Sequence, residues 1–290
     1  MATSPKHTAN ICIRSVSLPI RSHPSIVRVE QELNKIKTWE TSPSHTCNAL
    51  ARLEELYMCM DEHLNSATTQ QVLFFNQHEK CVDELLEESL KFIDVCGIAR
   101  DLMLQFKEHA RALQSALRRR KGDSSIETTI ARYVCFRRKA KKDAKRLTGS
   151  VKQIDKRLDA SLLLGRDHHF YSVIRVLKEV IKVSTCVFCS ILLFVSISSL
   201  KPNSVASRLL HRGRVASEDR VVANEVERVD TALHGLLKCR SSEGEGMQIA
   251  QRGLEGLERR SEAFESGLES LFRSLIRTRI SLLNIVSFCY

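Results

Sequence analysis

Apolar residues recur at intervals of three and four along most of this chain, which is the spacing of one face of an α-helix. Pro24 suits the first position of a helix, and the apolar residues that follow it predict a short amphipathic helix. A second apolar stripe runs from Leu50 to Leu64, after the helix-breaking residues 41–44. Residues 66–69 are predicted to end this second helix, so the N-terminal part is expected to hold two helices.

A much longer apolar stripe covers residues 77–120 and predicts one helix of roughly 65 Å, at about 1.5 Å per residue. A helix of that length needs a long partner to cover its apolar face. Residues 254–285 keep the same three-four register to the end of the chain. We therefore expect the third helix and the C-terminal helix to pair.

Three further helices are predicted between these two. One carries the apolar stripe of residues 130–158, the next runs from a break at residues 165–167 to about Leu200, and the last carries residues 222–236. Residues 240–247, which include the run SSEGEG, are predicted to be a flexible linker. No alternating strand pattern and no Gly-rich phosphate loop interrupts this order.

The predicted fold class is all-α, an antiparallel bundle of about six or seven helices, several of them long. Composition supports it, because 43% of the residues are apolar, only five are proline, and the aromatic share of 6% is low for a sandwich or barrel. Residues 24–290 are expected to form this single domain. Residues 1–23 are expected to be a disordered basic arm.

The ten cysteines are expected to be reduced thiols in a cytoplasmic or nuclear protein, since the N-terminus has no apolar signal-peptide core. Cys186 and Cys189 form a CxxC motif, but it lies within a helical apolar run and has no second CxxC to complete a zinc site. We predict that both are buried structural thiols. No catalytic constellation is present, so the sequence predicts no enzyme activity, no small-molecule substrate, no metal and no cofactor.

The net charge of +11 is concentrated in one segment. Residues 118–157 contain fifteen Lys and Arg and four acidic residues, so the whole excess lies there. The centre of this segment is a predicted basic patch of Arg137, Arg138, Lys139, Lys141, Lys142, Lys145 and Arg146. It is interpreted either as a solvated helix face or as a docking surface for an anionic protein or membrane. Nucleic acid is less favoured, because Tyr133 and Phe136 are too few for a base-stacking platform.

Residues 183–200 contain no charged side chain. The length of this uncharged run is near the lower limit for a helix that spans a bilayer. Several Ser, Thr and Cys residues dilute this run. A buried central helix of the bundle is the favoured interpretation. A membrane anchor is the alternative.

The arm contains the hexapeptide RSVSLP, in which Arg14 precedes Ser17 by three residues and Pro19 follows it by two. A basophilic kinase recognises this arrangement, and the phosphorylated peptide is similar to those that 14-3-3 proteins bind. Phosphate on Ser17 would add nearly two negative charges for an arginine cluster. An organellar transit peptide is the alternative, since the arm is poor in acidic residues.

Three blocks of the sequence together resemble one known family, the plant-specific BYPASS-related proteins. They are RSVSLPIRSHPSIVRVEQELNKIKTWE, QHEKCVDELLEESLKFIDVCGIARDLMLQFKEHARALQSALRRRKGD and LFRSLIRTRISLLNIVS. The resemblance covers most of the chain and preserves the order of the blocks. It implies a helical plant protein linked to root and shoot development, and it supplies no catalytic residues.

The expected function is therefore that of a non-enzymatic regulatory or interaction protein with a helical scaffold. Its expected partners are proteins, including a 14-3-3 protein through phosphorylated Ser17, and an anionic membrane surface. The alternative is a membrane-associated protein anchored by residues 183–200 or by the basic helix.

Overall fold

Eight α-helices account for nearly all of the chain that the structure describes. The structure is a computed structural model, and it describes residues 24–38, 46–119, 123–160, 168–197, 224–238 and 243–287. The helices are α1 (Pro24–Lys37), α2 (Thr46–Leu64), α3 (Ala67–Phe75), α4 (Lys80–Arg119), α5 (Asp123–Ala160), α6 (His168–Ser196), α7 (Glu225–Lys238) and α8 (Glu243–Ser287). No β-strand occurs in these ranges, so the predicted all-α bundle is confirmed.

The two longest helices, α4 with 40 residues and α8 with 45 residues, pack along each other as the sequence predicts. Met103 and Phe106 of α4 and Leu268 and Leu271 of α8 are fully buried. Ion pairs flank this seam and run in opposite directions along the two helices: Arg100–Glu269, Lys107–Glu265, Arg111–Glu258 and Arg118–Glu255. The pair is therefore antiparallel.

Helix α6 lies at the centre of the bundle and packs against α1, α2, α3, α4 and α5. Its Ser184 hydroxyl lies 3.1 Å from the Tyr57 hydroxyl of α2, and its Phe188 ring lies 4.8 Å from the Phe92 ring of α4. By length and composition α6 could cross a bilayer, yet 61% of its apolar 18-residue stretch is buried inside the bundle. The apolar stretch that begins at residue 183 therefore serves as a core helix of this fold.

Helix α2 ends at Leu64, as predicted, but the sequence analysis did not predict the short helix α3 that follows it. The Ser66 hydroxyl oxygen accepts a hydrogen bond from the Thr69 amide at 3.4 Å and caps the start of α3. Ser favours both turns and N-caps, so the local sequence does not distinguish the two. Burial of Leu73 holds this extra helix on the bundle.

The predicted flexible linker at residues 240–247 is also corrected, because α8 begins at Glu243. Met247 packs partly buried against the core and Ala250 is fully buried. These two residues extend the three-four register of the C-terminal stripe toward the N-terminus. The predicted arm at residues 1–23, and the Arg14, Ser17 and Pro19 motif within it, lie outside the described residues.

Candidate anionic-surface site on helix α5

Helix α5 is a folded element of 38 residues that packs between α4 and α6. One side of it is apolar and buried, as predicted, and consists of Ile130, Tyr133, Ala140, Ala144, Leu147, Val151, Ile154 and Leu158. Burial of this stripe determines which side of α5 faces outward, because successive residues of an α-helix are 100° apart. The basic segment is thus held in a defined orientation.

Five exposed basic side chains lie on the opposite side of α5, and we call them the outward stripe: Arg138, Lys142, Lys145, Lys152 and Lys156. Successive members are four, three, seven and four residues apart, so they follow one line along the helix over about 27 Å, at about 1.5 Å per residue. Gly149 continues this line, and outside the local backbone of α5 no atom lies within 4 Å of the position that its Cβ would occupy. The middle of the stripe is therefore open.

The charge of the outward stripe is not neutralised by neighbouring carboxylates. None of its five side chains forms an ion pair with any residue that the structure describes. The acidic side chains of this part of α5 lie on its flanks, where Asp143 is 3.5 Å from Arg146 and Asp159 is 3.2 Å from Lys182. A line of like charges on a rigid helix produces a positive potential that extends into solvent.

The other members of the predicted patch are distributed around the helix. Lys139 and Arg146 are exposed on the flank toward α4. Lys141 is half-buried on the flank toward α6, where desolvation and the neighbouring Arg137 guanidinium lower the pKa of its ammonium group. Only Arg138, Lys142 and Lys145 of the predicted patch lie on the outward stripe.

The assignment of Arg137 to a surface patch is wrong, because this residue is only 4% exposed. Its guanidinium donates to both carboxylate oxygens of Asp230 in α7, at 2.9 to 3.2 Å. It also donates to the carbonyl oxygens of Val195 and Ile197 at the end of α6, at 2.9 and 3.1 Å. Arg137 is a structural bridge among three helices.

Lys152 and Lys156 are the functional candidates that the predicted patch omitted. They lie seven and eleven residues beyond Lys145, and Gly149 occupies the intervening position of the same line. The signal was present in the sequence, since the three-four spacing that connects Arg138, Lys142 and Lys145 continues through residues 149, 152 and 156.

The CxxC motif differs in part from the prediction of two buried thiols. Cys186 is exposed, Cys189 is half-buried, and both line an apolar groove of about 380 Å³ between α5 and α6. Desolvation raises the pKa of both thiols above the ordinary value, so they are protonated and weakly nucleophilic at neutral pH. Among the described residues, no cluster of three or more His, Cys, Asp or Glu side chains could hold a metal ion.

Comparison with known protein families gives a match. The family profile described as Protein BPS1 matches residues 49–285, a range that contains the whole outward stripe and extends from α2 into α8. No curated protein sequence and no solved structure matches the chain significantly. The chain therefore belongs to the plant BPS1 family of BYPASS-related proteins, and this membership links it to plant development.

Proposed function

We propose that this protein is a non-enzymatic, cytoplasmic interaction protein that adheres to anionic membrane surfaces through the outward stripe of α5. The observation that supports this most directly is the line of five exposed cations, none of which is paired with a described carboxylate. Each Lys or Arg near an anionic leaflet contributes about 1 kcal/mol, so five contribute at most about 5 kcal/mol. Adhesion of this strength is reversible and sensitive to salt.

The chemistry of the stripe favours a bilayer over an acidic protein. Protein interfaces depend on a few aromatic or aliphatic anchors in desolvated pockets. Gly149 is the one uncharged residue on the line from Arg138 to Lys156, so the stripe offers no such anchor. A plane of lipid headgroups needs no anchor, because it presents distributed negative charge.

Single-stranded nucleic acid is the least supported partner. Its binding sites combine basic grooves with exposed aromatic rings on which bases stack. Tyr133 and Phe136 of α5 are 1% and 7% exposed, so neither ring is available on the outward stripe.

Adhesion would place the helical scaffold and its protein partners at a membrane. A 14-3-3 protein bound to phosphorylated Ser17 would be one such partner, and root and shoot development would be the processes in which the assembly acts.

The test is cosedimentation of the purified full chain with phosphatidylserine-containing vesicles at low and high salt. The triple variant Lys142→Gln, Lys145→Gln and Lys152→Gln should weaken binding by roughly two orders of magnitude, since three cations are lost at about 1 kcal/mol each. The control variant Arg252→Gln, Arg259→Gln and Arg273→Gln removes equal charge from exposed positions of α8 and should bind like the wild type. Equal binding by the two variants would refute the proposal.

Cell fractionation separates adhesion from membrane spanning by α6. A high-salt wash should release the adherent protein, whereas a spanning helix resists both salt and carbonate. Retention of the protein after a carbonate wash would favour the α6 anchor instead.

A further inference from the structure

A second feature lies directly beside the outward stripe, in a groove of about 270 Å³ between α4 and α5. Its floor is apolar and includes the buried side chains of Val95, Leu147 and Ile154. Ile98 of α4 adds a large apolar side chain that is 42% exposed. This volume lies just below the range of drug-sized sites, roughly 300 to 1,000 Å³, and suits one small ring.

The α5 wall of the groove is a row of hydrogen-bond donors. Arg146, Ser150, Gln153 and Arg157 follow one another at spacings of four, three and four residues, so they share the flank of α5 that faces α4. No carboxylate of α5 interrupts this row. Gln153 is exposed and forms no hydrogen bond with a described residue. The Gln153 amide is therefore available to a ligand. Arg146 pairs with Asp143 through Nη2 at 3.5 Å, and its Nε and Nη1 groups form no hydrogen bond with a described residue.

The α4 wall holds two of the cations in place at the groove. Glu88 is 2% exposed, and its carboxylate accepts hydrogen bonds from Lys91 at 2.9 Å and from Arg157 at 3.1 Å. Only Nη1 of Arg157 bonds to α4. The same Nη1 group also donates to Glu87 at 3.4 Å, so two α4 carboxylates position Arg157 through one nitrogen. Its Nε and Nη2 groups form no hydrogen bond with a described residue and remain as donors for a ligand.

The distribution of charge across the groove gives a ligand a preferred orientation. Arg146 and Arg157 lie on the α5 wall, whereas the α4 wall carries the Glu88 carboxylate, which is paired with Lys91 and Arg157, and the exposed Asp94 carboxylate. A phosphate group would be attracted toward α5 and repelled from Asp94, while a hydroxyl group could donate to Asp94. The apolar floor would contact the carbon-bound hydrogens of a saturated ring.

We infer that this groove binds a phosphorylated cyclic polyol, the headgroup chemistry of phosphoinositide lipids. A lipid is the source that this surface favours, because the groove shares α5 with the outward stripe and Lys145 lies next to Arg146. The assignment of the ligand to a lipid headgroup rests on the proposed function. Binding of the polyol phosphate in the groove does not depend on that function. The groove would add headgroup selectivity to the unselective attraction of the stripe.

The first measurement is calorimetric titration of the full chain with soluble inositol trisphosphate, and with inorganic phosphate for comparison. The groove variant Arg146→Gln, Gln153→Ala should lose affinity for inositol trisphosphate by about tenfold or more, since it removes a charged and a neutral donor. Both side chains are exposed, so the variant should keep the wild-type fold. The stripe variant Lys142→Gln, Lys145→Gln removes two positive charges, one more than the groove variant, and should nevertheless change this affinity much less.

The second measurement compares vesicles that carry phosphoinositide with vesicles that carry phosphatidylserine at equal total charge. The groove variant should lose the preference for phosphoinositide but retain binding to phosphatidylserine, and the stripe variant should weaken binding to both.

The inference is overturned if inositol trisphosphate binds no more tightly than inorganic phosphate, or if the groove variant binds it as the wild type does. Groove-dependent binding of inositol trisphosphate without any vesicle binding would overturn the lipid source and the proposed function but confirm the polyol phosphate site.

Discussion

Arg137→Gln tests the bridge that joins α5, α6 and α7. The guanidinium makes its contacts with Asp230 and with two carbonyl groups at the end of α6, and it lies 5.6 Å from the centre of the Phe106 ring. Tyr133 donates a further hydrogen bond to Asp230 at 3.1 Å. Burial, together with the Asp230 carboxylate, raises the pKa of Tyr133 well above its ordinary value, so this hydroxyl remains a donor.

The expected loss in the free energy of unfolding follows from the polar groups that Arg137→Gln leaves without a partner. Gln is too short to reach all these acceptors, so Asp230 loses its countercharge and two carbonyl groups lose their donor. Removal of one partner of a buried ion pair costs about 3 to 5 kcal/mol. The Asp230 side chain is 25% exposed and keeps its bond from Tyr133, so we expect the lower end, about 3 kcal/mol.

Arg138→Gln is the matched control, because Arg138 is the next residue and points into solvent on the outward stripe. A surface substitution of this kind changes the free energy of unfolding by at most about 0.5 kcal/mol. Urea denaturation followed by far-ultraviolet circular dichroism should show a midpoint lower by about 1 M or more for Arg137→Gln only, given the usual dependence of stability on urea.

Coincident unfolding curves for Arg137→Gln and Arg138→Gln would refute the burial of Arg137 and return it to the surface patch. A double-mutant cycle with Asp230→Asn adds a second criterion. Coupling between the two sites of less than about 0.5 kcal/mol would mean that they do not interact directly.

Two further predictions address packing and the arm. Gly267→Ala should destabilise the bundle, because the new Cβ would lie 3.0 Å from Leu50 Cδ1. Gly149→Ala should instead stabilise α5 by about 0.5 to 1 kcal/mol, since its Cβ would meet open space. Thermal unfolding of both variants measures the difference, and equal shifts in melting temperature would contradict it. A synthetic peptide of residues 10–23 with phosphate on Ser17 should bind a plant 14-3-3 protein, and the unphosphorylated peptide should not. Equally weak binding of both peptides in a direct titration would reject this docking site.

Hydrophobic periodicity in the sequence determined most of the architecture. The three-four stripes were sufficient to predict the pairing of α4 with α8, since two long apolar faces must cover each other. The charge distribution likewise located the basic segment on a folded helix. These features are local, because residues close in sequence decide which face of a helix is apolar.

Only the tertiary structure decided what each polar side chain meets. Arg137 and Arg138 are adjacent basic residues in the sequence, yet one is buried against Asp230, which lies 93 residues away, and the other is exposed. Ser66 follows the end of α2, as predicted, but it also caps α3, which forms because Leu73 is buried in the core. The groove on α5 similarly depends on Glu88 of α4. Periodicity specifies which face of a helix is buried, but the neighbour that covers that face, and the partner of each polar group on it, are determined by packing between segments distant in sequence.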